Sequence, residues 1–520
     1  MPPFIDRFKN SILYVLTGFD RMVFKGIFRP LASVGGVLSF LYRMNITNKD
    51  YKNWMLSRTQ ELTRAVETMA AQHQQKVIHL SSWRFRKEAL AHEHQKQQGI
   101  ETGLIGVWSC LESSNTYRAY YDPGAGKPCL RPYRTPCKHF YFYFDHADFG
   151  FMNVRLQSWF PYHLQIAMNG REWLRRALQK AGINFVCQGN KFLHVDDPLR
   201  AQQLLTAQLD QQWATLLNSF LPTVFPTLAD TIGDDMTYYW TLWQSEWATD
   251  FIFHSPSAIA PLIPPLRQHA FLAGTSDRIL NYLGHPIRPN GHPHPLFQQE
   301  VISRLSGFHD GACVRHGVGS NSVKLYNEHN VLRIEATIND ATAFKVRRQA
   351  TGEPETAPKR LRPLRQGIVD IPRRAKVSED VNHRFLTTVA QVSDQEPLGP
   401  LLQQVTSSFK KAGRGIRALD LLGKDREFLL GLVDPRFDLN GITNKELRSR
   451  RQPTAWAKGK TDKQLSAKVS RQLRLLRDHG LLRKYPEQHR YSLTPQGRKL
   501  VLALSSIPAC SIEKLMAIAA

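Results

Sequence analysis

One segment of the chain gathers residue types that could act together on a phosphate group. Asn321–Asn339 reads NSVKLYNEHNVLRIEATIN, two alternating runs around a four-residue turn at 327–330. Alternation puts every second side chain of a strand on one surface, so we expect an antiparallel hairpin with Tyr326 opposite Val331. The polar surface of this hairpin would carry Ser322, Lys324, Tyr326, Arg333 and Glu335, and the apolar surface Val323, Leu325, Leu332 and Ile334.

That polar surface has two interpretations. As a catalytic site, Glu335 would hold a divalent ion, Mg²⁺ or Mn²⁺, while Lys324 and Arg333 grip a phosphate, as phosphoryl transfer requires. As a plain structural surface, it would be a solvated sheet face with ordinary cross-strand ion pairs.

A second acidic pair could complete such a metal site. Glu246 and Asp250, in the aromatic segment Tyr238–Phe253, are four residues apart, so they share a face of the helix that we expect there. Together with Glu335, and with His316 upstream of the hairpin, they make a candidate set of metal ligands. The alternative is that both carboxylates pair with nearby arginines.

The local pattern Lys-x-Tyr, then Arg-x-Glu on the next strand, resembles rolling-circle replication initiators of phages and plasmids. The resemblance implies that Glu335 assists a metal bound by a His-apolar-His strand, and that a tyrosine, here Tyr238 or Tyr239, attacks DNA. The chain departs from that pattern. Its close histidine pair, His292-Pro293-His294, has a central proline that disfavours an interior strand, and both tyrosines precede the hairpin.

The C-terminal part of the chain has the pattern of a DNA-reading module. Thr443 and Glu446 have the spacing of a helix-capping box ahead of a helix at 444–450. In the next helix, within 465–479, one face is aliphatic: Leu465, Val469, Leu473 and Leu476. The opposite face carries Lys468, Ser470, Arg471 and Arg474, which suits a recognition helix in a major groove.

Two short strands, Leu482–Tyr485 and His489–Leu493, follow this helix. They carry Arg483, Lys484 and Arg490, which can reach phosphates or a minor groove. The runs LRLLRDHGLLRK and HRYSLTPQGRKLV resemble the winged helices of bacterial regulators of the MarR and PadR type. That resemblance covers about sixty residues and implies binding of duplex DNA, or in some members protein docking, and no catalysis.

The charge distribution agrees with a nucleic-acid partner. The net charge is +25, and residues 441–499 hold 16 Lys and Arg against 4 Asp and Glu, so about half of the excess lies in this module. The six cysteines include no CxxC pair, and no apolar run reaches the ~20 residues of a membrane span. We therefore expect a cytoplasmic protein that binds duplex DNA, with RNA left open, and no membrane.

The expected fold class is α+β, a multidomain mixed body with antiparallel sheets, a basic linker and a C-terminal winged helix-turn-helix. The expected domains are 1–135 (α/β), 136–230 (α+β), 231–345 (aromatic helix and hairpin), 346–440 (basic linker and helices) and 441–510 (winged helix). Within these, Asn48–His73 predicts an amphipathic helix, and HFYFYF (His139–Phe144) predicts a strand, half-buried or able to stack bases.

Segments such as NGREWL, QSEWATD and LRIEATIN also make the whole chain similar to a bacterial protein family, a likeness that transfers no site but suggests action on a mobile element. Two functions therefore stay open. The chain is a DNA-binding enzyme for metal-dependent nicking, strand transfer or replication initiation, or it is a non-enzymatic regulator or nucleic-acid-binding adaptor.

Overall fold

The structure is a computed structural model, and it describes residues 2–124, 126–233, 235–260, 262–272, 274–285, 299–308, 311–350, 352–354, 356–390, 398–433, 437, 441–451, 459, 461–485 and 488–506. The fold is mixed α+β with a large, mostly antiparallel sheet, as the sequence predicts. The His292-Pro293-His294 motif lies outside the described residues.

The strands, in chain order, are β1 (Ile12–Ile27), β2 (Val77–His79), β3 (Gly103–Asp122), β4 (Lys127–His146), β5 (Gly150–Gln157), β6 (Leu164–Asn169), β7 (Phe185–Gln188), β8 (Lys191–Val195), β9 (Tyr239–Phe253), β10 (Val301–Phe308), β11 (Gly311–Val318), β12 (Asn321–Glu328), β13 (Val331–Ile338), β14 (Lys345–Arg348), β15 (Arg360–Pro363), β16 (Phe409–Lys411), β17 (Arg414–Ile416), β18 (Ile442–Thr443), β19 (Leu482–Lys484) and β20 (Arg490–Leu493).

The helices, in chain order, are α1 (Pro2–Phe8), α2 (Val34–Arg43), α3 (Tyr51–Gln72), α4 (Lys87–Gln98), α5 (Gly170–Lys180), α6 (Pro198–Ala207), α7 (Trp213–Asn218), α8 (Leu221–Val224), α9 (Leu228–Ile232), α10 (Pro256–Ile259), α11 (Ile263–Leu272), α12 (Ser276–Tyr282), α13 (Ile371–Ala390), α14 (Leu398–Val405), α15 (Arg426–Leu430), α16 (Asn444–Arg451), α17 (Asp462–Asp478) and α18 (Pro495–Ser506).

The chain divides into two compact units, each built from separate stretches of sequence. The sheet unit comprises 10–256 and 328–382, and the second unit comprises 1–9, 257–327 and 383–520. The boundary expected at 135 falls inside β4, and the one expected at 345 falls inside β14. Sequence-local composition shifts could not reveal units whose strands come from distant parts of the chain.

The sheet unit is organised around strands in the order β13-β9-β1-β6-β5-β4-β3-β2. All neighbours in this order are antiparallel except β2 and β3, which are parallel. One face packs on the main core with α2, α3 and α7, through residues such as Phe24, Val154 and Ile166. We call the opposite face the helix-flanked face, because α5 and α6 cover one part of it and α4 covers another.

The expected helix at Tyr238–Phe253 is wrong, because this segment forms the strand β9. Its residues pair with β1 on one side and with β13 on the other. Aromatic and β-branched residues favour a pleated surface of this kind over a helix. Glu246 and Asp250 still share a face, because a spacing of four is also an even number of strand residues.

Residues 346–380, at the start of the region 346–440 expected to hold a basic linker and helices, form secondary structure. This segment contains the paired strands β14 and β15 and the first half of α13. Arg374 is 1% exposed and donates hydrogen bonds to the carbonyls of Leu242 and Ile338. The basic composition here therefore includes a side chain that holds the sheet unit together.

The predicted hairpin strands are longer than expected. They run to Glu328 and from Val331, so only His329 and Asn330 separate them instead of the four residues 327–330. The predicted amphipathic helix is confirmed as α3, and HFYFYF is confirmed as part of β4 with Phe140 and Phe142 buried in the main core.

Candidate metal centre

Three carboxylates converge on the helix-flanked face of the sheet unit. Asp20 on β1, Glu246 on β9 and Glu335 on β13 each offer an oxygen, and these oxygens lie within 4.8 Å of one another. Asp20 is 6% exposed and Glu335 is 2% exposed, whereas Glu246 is half-buried. We call this group the carboxylate trio.

Strand register explains the convergence. On the β9–β13 ladder, Glu335 pairs with Ala248 and Thr337 pairs with Glu246, so the two glutamates are diagonal neighbours on one face. On β1 the register shifts between Phe19 and Arg21, and Asp20 is the extra residue of this bulge. Phe19 and Trp247 pack in the main core, so alternation places the next residue, Asp20, on the opposite face with the glutamates.

Asp250 lies beside the trio but is committed to arginine partners. Arg333 binds it with both Nε, at 2.6 Å, and Nη2, at 2.8 Å, and Arg171 Nη2 lies at 3.2 Å. Burial by itself would raise the pKa of Asp250, but the two guanidinium groups outweigh it and hold that pKa below its usual range. Asp250 is thus a charge partner at the edge of the site.

Asp20 shares the same two arginines. Arg333 Nη1 lies 3.2 Å from Asp20, and Arg171 Nε lies 4.0 Å from it. Arg21 stands opposite Glu246 on the neighbouring strand, but it is exposed, so solvent screens its charge.

An open cavity of about 350 Å³ borders the trio, and Asp20 and Glu246 are in its wall. We call it the acidic pocket. Its other polar lining includes His92, Asn153, Asn169 and Asn190. Carboxylate and amide oxygens are hard donors, the type that Mg²⁺ and Mn²⁺ prefer, and a cavity leaves room for the waters and substrate oxygens that complete their coordination.

The structure brings together some of the predicted ligands. Glu246 and Glu335 are in the trio and Asp250 is adjacent to it. Asp20 was not predicted, although it is an isolated acidic residue in the apolar run YVLTGFDRMVF, which was a usable signal.

His316 does not belong to this group. It lies on β11 in the second unit and is fully buried, and its ring nitrogens contact Ser303 Oγ at 2.8 Å and the Ala270 carbonyl at 2.9 Å. Burial lowers the pKa of His316 to about 4. Both nitrogens are occupied, so this histidine is a core residue in the structure.

The predicted tyrosines are far from the carboxylates. Tyr238 is buried, its hydroxyl donates to the Tyr162 carbonyl at 2.7 Å, and burial holds its pKa well above the ordinary value. Tyr239 stacks under the guanidinium of Arg29, at 3.6 Å from the ring centroid. It precedes Glu246 by seven strand residues, roughly 20 Å, so the structure does not support either tyrosine as the nucleophile at this site.

The two predicted phosphate-gripping residues lie in different units. Arg333, in the sheet unit, is 1% exposed and is held by Asp250, by Asp20 and by the Asn190 carbonyl at 2.7 Å. It therefore supports the trio from the buried side and is not presented as a phosphate ligand. Lys324 lies on β12 in the second unit, opposite Arg315 of β11.

The C-terminal elements follow the expected order. β18, α16, α17, β19, β20 and α18 succeed one another, and the strands form a sheet in the order β18-β20-β19. The predicted aliphatic face of α17 is confirmed, since four side chains are buried: Leu465, Val469, Leu473 and Leu476. Thr443 accepts a hydrogen bond from the backbone of Glu446, as expected for a helix cap.

The predicted contact residues of this module are mostly at its surface. Six of them are exposed, Ser470, Arg471, Arg474, Arg483, Lys484 and Arg490, and Lys468 is half-buried. Ser470 accepts a hydrogen bond from Asn444 at 2.8 Å, and Arg483 donates to Ser492 at 2.9 Å. Whether this surface binds nucleic acid stays a prediction.

Comparison with known proteins finds no match to a protein-family model, to a curated protein or to a solved structure. In the part of the chain that the structure describes, no helix combines the length and apolarity needed to cross a membrane.

Proposed function

We propose that the sheet unit is a divalent-metal-dependent phosphoryl-transfer enzyme acting on nucleic acid, with hydrolysis or transfer of a strand as its reaction. The observation that carries the proposal is the convergence of Asp20, Glu246 and Glu335 from three neighbouring strands. Clustered carboxylates repel one another, and a cation bound between them would offset that repulsion.

In this proposal Asp20, Glu246 and Glu335 hold Mg²⁺ or Mn²⁺. Such an ion would polarise a phosphoryl oxygen and acidify water. Arg333 and Arg171 hold Asp20 and Asp250 in place from the buried side, and they keep the pKa of Asp250 below its usual range. Because no tyrosine among the predicted ones reaches the site, the attacking group would be water or a strand's own hydroxyl, unlike that of the replication initiators.

The C-terminal elements would serve as a winged helix that holds duplex DNA. Arg471 and Arg474 project from the exposed side of α17, opposite its aliphatic face, as a recognition helix requires. The strands β19 and β20 would supply phosphate contacts. A role on bacterial DNA, such as that of a mobile element, would place the protein in the cytoplasm.

Cleavage assays test the enzymatic proposal. End-labelled single- and double-stranded DNA and RNA are incubated with the protein in Mg²⁺, in Mn²⁺ and in EDTA. We expect metal-dependent cleavage that Glu335→Gln and Asp20→Asn each reduce by roughly 100-fold or more. Glu67→Gln, an exposed carboxylate on α3, is the matched control and should cleave normally.

Absence of cleavage on every substrate, with Mn²⁺ binding that Glu335→Gln leaves unchanged, would overturn this proposal. Mn²⁺ binding is measured by electron paramagnetic resonance or calorimetry. If no cleavage is seen, the Mn²⁺ measurement shows whether the metal site is absent or whether the assay lacked the correct substrate.

The second candidate function is a non-enzymatic DNA-binding regulator or adaptor, which the exposed cationic side of α17 favours. Arg471→Ala with Arg474→Ala should weaken duplex binding and reduce the slope of log K against log salt by about 2. Lys49→Ala with Lys52→Ala removes the same charge from exposed positions of the sheet unit and is the control. An equal loss of duplex affinity in the two double variants would refute the assignment of α17 as a recognition helix.

A further inference from the structure

A second cavity, also of about 350 Å³, opens on the sheet unit and is basic where the first is acidic. We call it the basic pocket. Its charged and aromatic lining comprises Lys25, Arg134, Arg155, His139, His163 and Trp243. Its uncharged lining includes Ser114, Gln157 and Gln165. The basic pocket therefore presents cationic side chains, side-chain amides and an aromatic ring in one place.

Strand register places the two pockets side by side on the helix-flanked face. Lys25 pairs with Gln165, which pairs with Arg155, and this row borders the basic pocket. The row two residues along, in which Ala167 pairs with Asn153, borders the acidic pocket. Residues two apart on a strand share a face and lie ~7 Å apart, so the two pockets border adjoining rows of the same sheet face.

The basic pocket lacks the anions that would neutralise it. Among the described residues, no carboxylate lies within ion-pair distance of Lys25 or Arg134, whereas Arg155 pairs with Glu112 at 2.7 Å. Burial, and then the charge of Arg155, lower the pKa of Lys25. Two cations with no internal partner favour an anionic ligand.

The two histidines contribute hydrogen bonding instead of charge. Burial, with the charge of Arg155 next, lowers the pKa of His139 to about 4, and burial and Lys25 lower that of His163 to about 4. His139 contacts Ser114 Oγ at 2.9 Å and the Cys137 carbonyl at 3.1 Å. The cationic side chains of the pocket are therefore Lys25, Arg134 and Arg155, and not its histidines.

Trp243 supplies an aromatic surface at the same place. It is the extra residue where the β1–β9 register shifts between Val23 and Phe24, and it is 43% exposed. The ammonium of Lys25 lies 4.9 Å from the ring centroid. Exposed aromatic rings beside cations are how proteins hold unpaired bases and their phosphates. A duplex does not offer a base face to such a ring.

We propose that the basic pocket binds a nucleotide unit of single-stranded nucleic acid, with Lys25 and Arg134 on its phosphate and Trp243 against its base. The strand then continues along the helix-flanked face to the carboxylate trio. The placement of the scissile bond rests on the proposed function, but strand binding itself needs no metal. The inference thus assigns the substrate class as a single strand and the direction from which it enters.

Binding in EDTA tests this assignment apart from the catalytic proposal. Full-length protein that carries Arg471→Ala and Arg474→Ala, which silences the C-terminal surface, is titrated into fluorescent single-stranded 12-mers of DNA and RNA. Trp243→Ala should weaken binding by about 5- to 100-fold, and Lys25→Gln with Arg134→Gln should lower the salt slope by about 1.4. Tyr42→Ala, at an exposed ring of α2, and Lys49→Gln with Lys52→Gln are the controls.

A local readout accompanies the affinities. An oligonucleotide with 5-iodouracil is photo-crosslinked, and the modified peptide should contain Trp243. Equal losses in the pocket variants and their controls, or a crosslink confined to other peptides, would overturn the proposal. Equal affinity for a free mononucleotide and for the 12-mer would instead indicate that the pocket binds a small ligand, and would refute the proposal that it binds a single strand. If the protein binds the strand but does not cleave it, the proposal for the basic pocket stands and only the proposed metal-dependent reaction is refuted.

Discussion

Two isosteric substitutions within a few ångströms of each other should change stability in different ways. Glu335→Gln removes one member of the carboxylate trio, whose oxygens lie within 4.8 Å of one another. At that distance and an effective dielectric constant of about 20, two carboxylates repel by about 3.5 kcal/mol. Glu335 has two such neighbours, so its ionisation beside them costs about 7 kcal/mol before the attraction of neighbouring cations is counted, and proton uptake or a bound cation would relieve this repulsion.

Asp250→Asn removes a different kind of carboxylate. Asp250 is 1% exposed and neutralises Arg333, at 2.6 Å, and Arg171, at 3.2 Å. Loss of its charge removes the bidentate partner of Arg333 and the nearer carboxylate of Arg171, and leaves Asp20 as the carboxylate beside both, which costs about 3–5 kcal/mol. In EDTA we therefore expect Asp250→Asn to destabilise strongly, and Glu335→Gln to leave stability unchanged or raise it by about 1–2 kcal/mol.

Denaturant unfolding with and without Mn²⁺ measures both effects. Wild-type protein should gain about 2.7 kcal/mol when the ion is present at 100 times its dissociation constant. Glu335→Gln should lose that gain, and the exposed control Glu67→Gln should keep it. If Glu335→Gln in EDTA is as destabilising as Asp250→Asn, and the Mn²⁺ gain persists, the trio is a structural ion-pair network and the metal centre is refuted.

Two other predictions concern residues outside the trio. Burial would raise the pKa of Asp425, but Arg417, the Asp420 backbone and Gln472 hold it at about 2, below the ordinary value of about 3.9. The contribution of the ionised Asp425 to the free energy of unfolding is therefore present above pH ~4 and is lost as the pH falls toward 2. The difference in this free energy between wild type and Asp425→Asn, measured by unfolding at a series of pH values, should vanish over that window. A difference that stays constant with pH would contradict this prediction. Tyr238→Phe should lower the free energy of unfolding by about 1 kcal/mol, because it removes the buried hydrogen bond to Tyr162, and it should retain cleavage. A folded variant without cleavage would instead support Tyr238 as the nucleophile.

The sequence identified two of the three trio members, and one of them for a reason that the structure corrects. Glu335 follows from alternation in a strand, and β13 is a strand. Glu246 was linked to Asp250 by helical spacing, yet the segment is β9. The prediction that Glu246 and Asp250 share a face still held, because residues four apart lie on the same face of a strand as well as of a helix. The chemistry of a cluster can thus be predicted while its secondary structure is wrong.

Asp20 could not be predicted by the same reasoning. Its place in the trio depends on the pairing of β1 with β9, strands that are distant in sequence. That pairing is not encoded in a local pattern. The position of Trp243 depends on a register shift in the same ladder. Long-range pairing and bulges are therefore the features of this sheet that hydrophobic periodicity could not reveal.

The arrangement of charge on the helix-flanked face is hard to explain by stability alone. Domains are stable by only about 5–15 kcal/mol, and buried like charges at the distances of the trio draw heavily on that margin. The basic pocket adds two cations without an internal anion on the same face. Groups of opposite charge are instead kept in two separate pockets on adjoining rows of the sheet. Such a separation is useful if a polyanion lies along this face, with its phosphates balancing Lys25 and Arg134 and a cation balancing the carboxylates.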